Sequence, residues 1–155
     1  MTGTRESVED FVERFATAMV ASGMPRMASR VFALLLSRDE GAATAAELSA
    51  ALQASPAAIS GAVRYLIQVH LVARSHRPGD RRDVYRLRSE QWYELLGDRE
   101  RELRAWFTLS REGAAILGSD SAAGRRLEET ARFFDFLTAE MTGVLERWRS
   151  EGRDR

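Results

Sequence analysis

The 155-residue chain contains no cysteine. Disulfides, thiolate metal sites and thiol-based redox sensing are therefore excluded. Lysine is also absent, so all 23 basic residues are arginine. Arginine usage as such, open to coding bias, is no evidence of function; the positions of the arginines are what carry information. There are two histidines, His70 and His76. Neither has a third ligand-type residue at metal spacing, and both are read as structural or surface residues. The longest apolar runs, such as VFALLL at 31–36, fall far short of the ~20 residues that span a bilayer. The opening MTGTRESVEDF has acids where a signal peptide needs an apolar segment. A cytoplasmic protein without membrane association is expected. Gly-rich phosphate loops, nucleophile elbows, zinc-ligand patterns and spaced His–acid pairs are missing too. Neither an enzyme nor a cofactor is expected.

What is present suits a folded chain of one domain, or one domain with an appendage: 45% hydrophobic and 30% charged residues. Its 23 acids balance its 23 bases, but not evenly along the chain. Residues 1–54 hold 5 arginines against 7 acids, residues 55–88 hold 7 against 2, and residues 89–155 hold 11 against 14. One basic segment lies between two mildly acidic flanks. A neutral chain can thus still carry a polyanion-binding patch.

Apolar spacing predicts the elements. Val8, Phe11, Val12, Phe15 and Met19 recur every three or four residues, giving an amphipathic helix over 5–22. Pro25 suits a first helical turn, and a second helix over 25–38 is built around Val31, Phe32, Leu34 and Leu35. Gly41 opens a turn. Thr44 and Glu47 form a capping box for a short helix over 45–53, which turns Leu48 and Leu52 inward. Ser55 and Pro56 start a further helix that runs to about His70. LVARSHR and DVYRL read as two strands joined by RPGDRR. Ser89 can cap a long helix through Leu117, in which Gly97 and Gly113 mark bends. GSDSAAG at 118–124 breaks the chain before a last helix over 125–149, with Leu127, Phe134, Leu137, Met141, Val144, Leu145 and Trp148 on one side.

The short helix, tight turn and longer helix over 44–70 match the helix-turn-helix plan, whose second helix enters the major groove. At 100° per residue, Ile59, Val63, Leu66 and His70 face the core, whereas Ala57, Gly61, Arg64 and Gln68 point outward with Tyr65 beside them. Small outward residues let the backbone approach a duplex, and Arg64 and Gln68 can bond base edges or phosphates. Ser55 and the first free N–H groups suit a phosphate, and Ser60 completes the outward set. By itself this helix pair equally describes a solvated hairpin in an α bundle. The basic β-hairpin after it tips the reading to a wing. Arg81 and Arg82 stand at its tip, suited to the negative potential of a narrow minor groove. Arg74, Arg77 and Arg86 line the ribbon toward phosphates. Asp80 and Asp83 either orient the arginines or fix the turn.

The order of helix, helix-turn-helix, Asp80-Arg81-Arg82 wing and two long terminal helices resembles a MarR-type winged-helix regulator over nearly the whole chain. MPRMASRVFALLL at 24–36, ELSAALQASPAAISGAVRYLIQ at 47–68 and GDRRDVYRLR at 79–88 are similar to the branch of choline-responsive repressors and actinobacterial efflux-pump repressors. The resemblance implies a mainly α (α+β) fold. A winged helix-turn-helix DNA-binding domain would occupy 25–88, and a helical dimerisation region 1–24 and 89–155. It implies a homodimer on a pseudo-palindromic operator in double-stranded DNA, acting as a ligand-responsive repressor of a transport or efflux operon. Cysteine-based oxidant sensing, common among relatives, does not carry over. The apolar stripes of the first and last helices agree with a partner subunit, or with packing of those helices on one another. A small apolar or cationic effector is expected, with Phe32, Trp92, Trp106 and Phe107 as candidate walls or as ordinary core aromatics. The alternative reading is a winged-helix protein-interaction module without DNA binding.

Overall fold

The computed structural model describes residues 7–89 and 91–151. Among these, the elements run α1 (Val8–Ala21), α2 (Arg26–Leu36), β1 (Ala42–Thr44), α3 (Ala45–Leu52), α4 (Pro56–Gln68), β2 (Val72–His76), β3 (Asp83–Leu87), α5 (Gln91–Leu117) and α6 (Ala122–Glu151). The chain divides into two compact units, residues 1–91 and 92–155. The first is a mainly α winged helix-turn-helix, the class the sequence leads one to expect.

Local chemistry sets the helix ends. Ser7 Oγ accepts the Asp10 N–H, and the Asp10 carboxylate accepts the Ser7 N–H, closing a capping box on α1. This bonding to Ser7 lowers the Asp10 pKa. Thr44 and Glu47 close the same box on α3. Ser55 Oγ caps α4 by accepting the Ala58 N–H at 3.2 Å. Pro25 is the N-cap of α2, one position before the first helical turn it was expected to occupy. Its missing N–H costs nothing there, because a cap contributes its carbonyl.

Phe32, Leu35, Leu48, Ile59, Leu66, Leu71, Val72 and Val84 are fully buried in this unit. Each contributes roughly 1.5–3 kcal/mol relative to exposure. α1, expected to belong with the terminal helices, packs on α2 within this unit. It buries Val12 and Ala16 there and leaves Val8 and Phe11 exposed.

The α4 expectation needs one correction. The helix ends at Gln68, and His70 is exposed with φ 62° instead of facing the core. Leu71 N–H bonds to the Leu66 carbonyl and His70 N–H to the Ile67 carbonyl, a Schellman close with a histidine in the left-handed position. That reversal swings Leu71 into the core place. α3 closes the same way, with Gln53 at φ 49° and Ala54 N–H on the Ser49 carbonyl.

The sheet is antiparallel in the order β1-β3-β2. β2 and β3 form the expected hairpin, paired from Val72↔Leu87 to His76↔Asp83. β1 was not foreseen. Its Ala42-Ala43-Thr44 lacks the branched and aromatic residues that signal a strand, and pairing with β3 makes it one.

The second unit is an antiparallel hairpin of α5 and α6. Trp106 meets Phe134 with ring centroids 5.3 Å apart, and the Arg149 guanidinium lies 5.3 Å over the Tyr93 ring. The Leu127 side chain lies close over Gly113, where a β-carbon would stand 2.9 Å from its Cδ1. Gly124, Ala131, Thr138 and Leu145 are buried at seven-residue intervals along α6, and Ser110 and Ala114 are buried on α5. α6 starts at Ala122, before the break expected through residue 124, because Gly118 with φ 82° completes the turn. Of the expected one-sided set, Leu145 is buried, Leu127, Phe134, Leu137 and Met141 are half-buried, and Val144 and Trp148 are exposed. The cap expected at Ser89 depends on Glu90, which lies outside the described residues.

Candidate nucleic-acid interface

α4 separates its faces cleanly. Ile59, Ala62, Val63 and Leu66 are buried, while Ala57, Ser60, Gly61, Arg64 and Gln68 are exposed and Tyr65 is half-buried. Ser55 is exposed at the N-terminal end, its hydroxyl held in the cap. Gly61 sits mid-helix, where glycine costs about 0.5–1 kcal/mol against alanine. A β-carbon there would meet nothing within 4 Å, so the protein's own packing does not require glycine. Arg64 has no ion pair among the described residues.

Most arginines of the wing are tied down. Asp80 takes the Arg82 backbone N–H at 2.9 Å and the Arg82 guanidinium at 2.7 Å, so it both fixes the turn and orients an arginine. The Arg82 hydrogen bonds hold the Asp80 carboxyl down from 3.8 to about 2. Arg74 Nε lies 3.5 Å from Asp83 Oδ2, with its guanidinium carbon 5.9 Å from the Tyr85 ring centroid. Arg86 Nη1 donates to the Glu40 carbonyl at 2.9 Å. Arg77 turns back from the ribbon and reaches Glu40 Oε2 and Glu47 Oε1, each at 3.4 Å. Of the five, Arg81 alone has no ion pair or hydrogen bond among the described residues, and it is exposed at the tip.

Glu40 and Glu47 were not expected at this surface. Glu47 had a signal only as a capping residue. The backbone N–H of Thr44 at 2.7 Å, followed by Arg77, lowers its pKa. Glu40 stands 37 residues from Arg77 along the chain, so no local pattern pairs them.

A helix-turn-helix with an arginine-tipped wing can be compared with known proteins. A family profile described as MarR family matches residues 22–83. Another, described as MmpR5-like MarR family transcriptional regulator, matches residues 90–151. The HTH-type transcriptional regulator MmpR5 of Mycobacterium tuberculosis (strain ATCC 25618 / H37Rv) is 31% identical over 150 residues, covering 94% of this chain and 89% of the relative. The chain belongs to the MarR family. A crystal structure described as that of a transcriptional regulator superposes with a TM-score of 0.78 at 28% identity, covering 92% of this chain and 98% of the other.

As a MarR-family member the protein is a DNA-binding transcriptional regulator. The MarR-type fold assigns α3 and α4 to the helix-turn-helix and β2–β3 to the wing. The aromatic residues named as effector walls fall in both units. Phe32 is fully buried in the winged-helix core, while Trp92 and Trp106 are exposed and Phe107 half-buried on the helical hairpin. A cleft of about 530 Å³ opens between α1, α2 and the end of α3, and none of those four lines it. Among the described residues no helix is long and apolar enough to cross a membrane.

Proposed function

We propose that this MarR-family protein is a homodimeric repressor that reads a pseudo-palindromic operator with paired α4 helices and wings. The supporting observation is the outward face of α4. It is small where it must come close to bases, at Ala57, Ser60 and Gly61, and polar beyond, at Arg64, Tyr65 and Gln68. Arg64 and Gln68 take base edges or phosphates, and the α4 N-terminus at Ser55 takes a phosphate. Arg81 enters the minor groove, and Arg74, Arg82 and Arg86 border it on the wing.

The dimer is inferred from apolar surface on the helical hairpin. Trp106, Leu109, Phe133 and Phe136 are each at least half exposed, as are Val144 and Trp148. Burying the exposed part of each against a second copy contributes on the order of 1–2 kcal/mol. A small apolar or cationic effector releases the repressor, with Trp106 and Phe107 offering aromatic contact. The regulated operon encodes transport or efflux, and the protein works in the cytoplasm where its promoter lies.

Fluorescence anisotropy on DNA flanking the gene tests the reading. Binding should fall steeply with salt, with a stoichiometry of two chains per duplex. Absence of binding at low salt would leave a protein-interaction module as the better account.

A further inference from the structure

Arg77 leaves the end of β2 and turns away from the wing tip to two carboxylates of other segments. Glu40 lies in the connection between α2 and β1, and Glu47 lies in the first turn of α3. Glu47 uses its two oxygens on different elements. Oε2 accepts the Thr44 N–H at 2.7 Å and so caps α3, while Oε1 faces Arg77 at 3.4 Å. Residue 40 is held from the other wing strand as well, because Arg86 of β3 donates to its carbonyl. Both strands of the wing are therefore fastened to the ground from which the helix-turn-helix starts. Arg77 retains 32% of its side-chain exposure. Two carboxylates beside a surface meant for a polyanion oppose binding unless an arginine neutralises them.

We propose that Arg77 is a positioning residue. It latches the wing to α3 through Glu40 and Glu47, and so sets the pitch at which Arg81 reaches the duplex. It does not itself neutralise a phosphate. The inference rests on the reading of the wing as a DNA-contacting element. It differs from a phosphate contact in sign and in salt dependence. Loss of a phosphate contact lowers the salt slope by about one, and loss of a latch weakens binding without lowering it. Removing Glu40 deletes negative charge near DNA, so simple electrostatics predicts tighter binding where the latch predicts weaker.

The test uses the full chain and a duplex that it selects from a random pool, with anisotropy over a salt series. Arg77→Met and Glu40→Gln should each weaken binding roughly two- to fivefold with the slope unchanged. Arg81→Ala should lower the slope by about one. Arg77→Lys keeps a cation beside both carboxylates and should hold binding to within about twofold of the parent. Glu47 is left intact because its loss would also uncap α3. Amide exchange of the β2–β3 ribbon in the free proteins should quicken in Arg77→Met and stay at the parent's rate in Arg77→Lys. A slope reduced by one in Arg77→Met, tighter binding by Glu40→Gln, or an Arg77→Met variant matching its parent in ribbon exchange would each overturn the latch. If the parent selects no duplex, the DNA-contacting reading fails instead, and ribbon exchange still decides whether the latch exists.

Discussion

Asp80 receives the backbone N–H, Nε and Nη2 of Arg82 at 2.7–3.1 Å. Those bonds favour the charged carboxylate, whose pKa falls from 3.8 to about 2. A depressed carboxyl contributes its order fully above the unfolded value and loses it as pH falls through the folded one. The wing turn should therefore persist through neutral and mildly acidic solution and open only near pH 2. A carboxyl NMR titration of Asp80 should show a midpoint near that value, moving back toward 3.8 in Arg82→Ala. A parent midpoint at the ordinary value would contradict the pairing.

Gly61 sets helix stability against the proposed approach to DNA. Alanine there meets open space, so Gly61→Ala should stabilise the chain by about 0.5–1 kcal/mol and raise Tm by a few degrees. The added methyl group would stand between α4 and the bases, weakening operator binding roughly tenfold. Calorimetry and anisotropy on one preparation test both signs. An alanine variant that binds as tightly as its parent would remove Gly61 from the interface.

At Gly124 the same change should have the opposite effect. A β-carbon there would collide with the Gly118 carbonyl oxygen across the α5–α6 turn. Gly124→Ala should destabilise the chain by roughly 1–3 kcal/mol despite alanine's helix preference. Urea denaturation measures it, and a gain in stability would show that the turn relaxes freely.

The dimer has its own test. Phe136→Asp and Trp148→Asp place charges on side chains that are 64% exposed within one chain. Such substitutions should leave helicity intact and convert the protein to single subunits in light scattering. Operator binding should then collapse, because half-sites are no longer held at a fixed spacing. Dimers persisting in both variants would move the interface elsewhere.

The sequence made much of the fold legible wherever the cause was local. Thr44 and Glu47, and Ser55 before Pro56, mark helix starts with residues three or fewer apart. The outward stripe of α4 follows from its period alone. Failures arose where long-range structure decides. Ala42–Thr44 becomes a strand through its pairing with Arg86, Tyr85 and Val84. His70 takes a left-handed conformation that favours glycine, since Leu71 must reach the core. On α6 the bulky residues drew attention, yet most of its buried positions are the small Gly124, Ala131 and Thr138. The arginines of the wing were legible as a set. Their carboxylate partners at 40 and 47 were not, being brought in from segments 30 or more residues away.

Arg74, Arg77, Arg82 and Arg86 are already held by Asp83, Glu40, Glu47 and Asp80 in the single chain. Those contacts narrow their rotamers before any partner arrives, while Arg74 and Arg82 stay more than half exposed. On the proposed reading of the wing, Arg81 is the ribbon arginine with the most side-chain freedom to lose on DNA, at roughly 0.5–1.5 kcal/mol. A wing so pre-ordered, with one loose tooth at its tip, should associate at a rate limited by orientation more than by side-chain ordering.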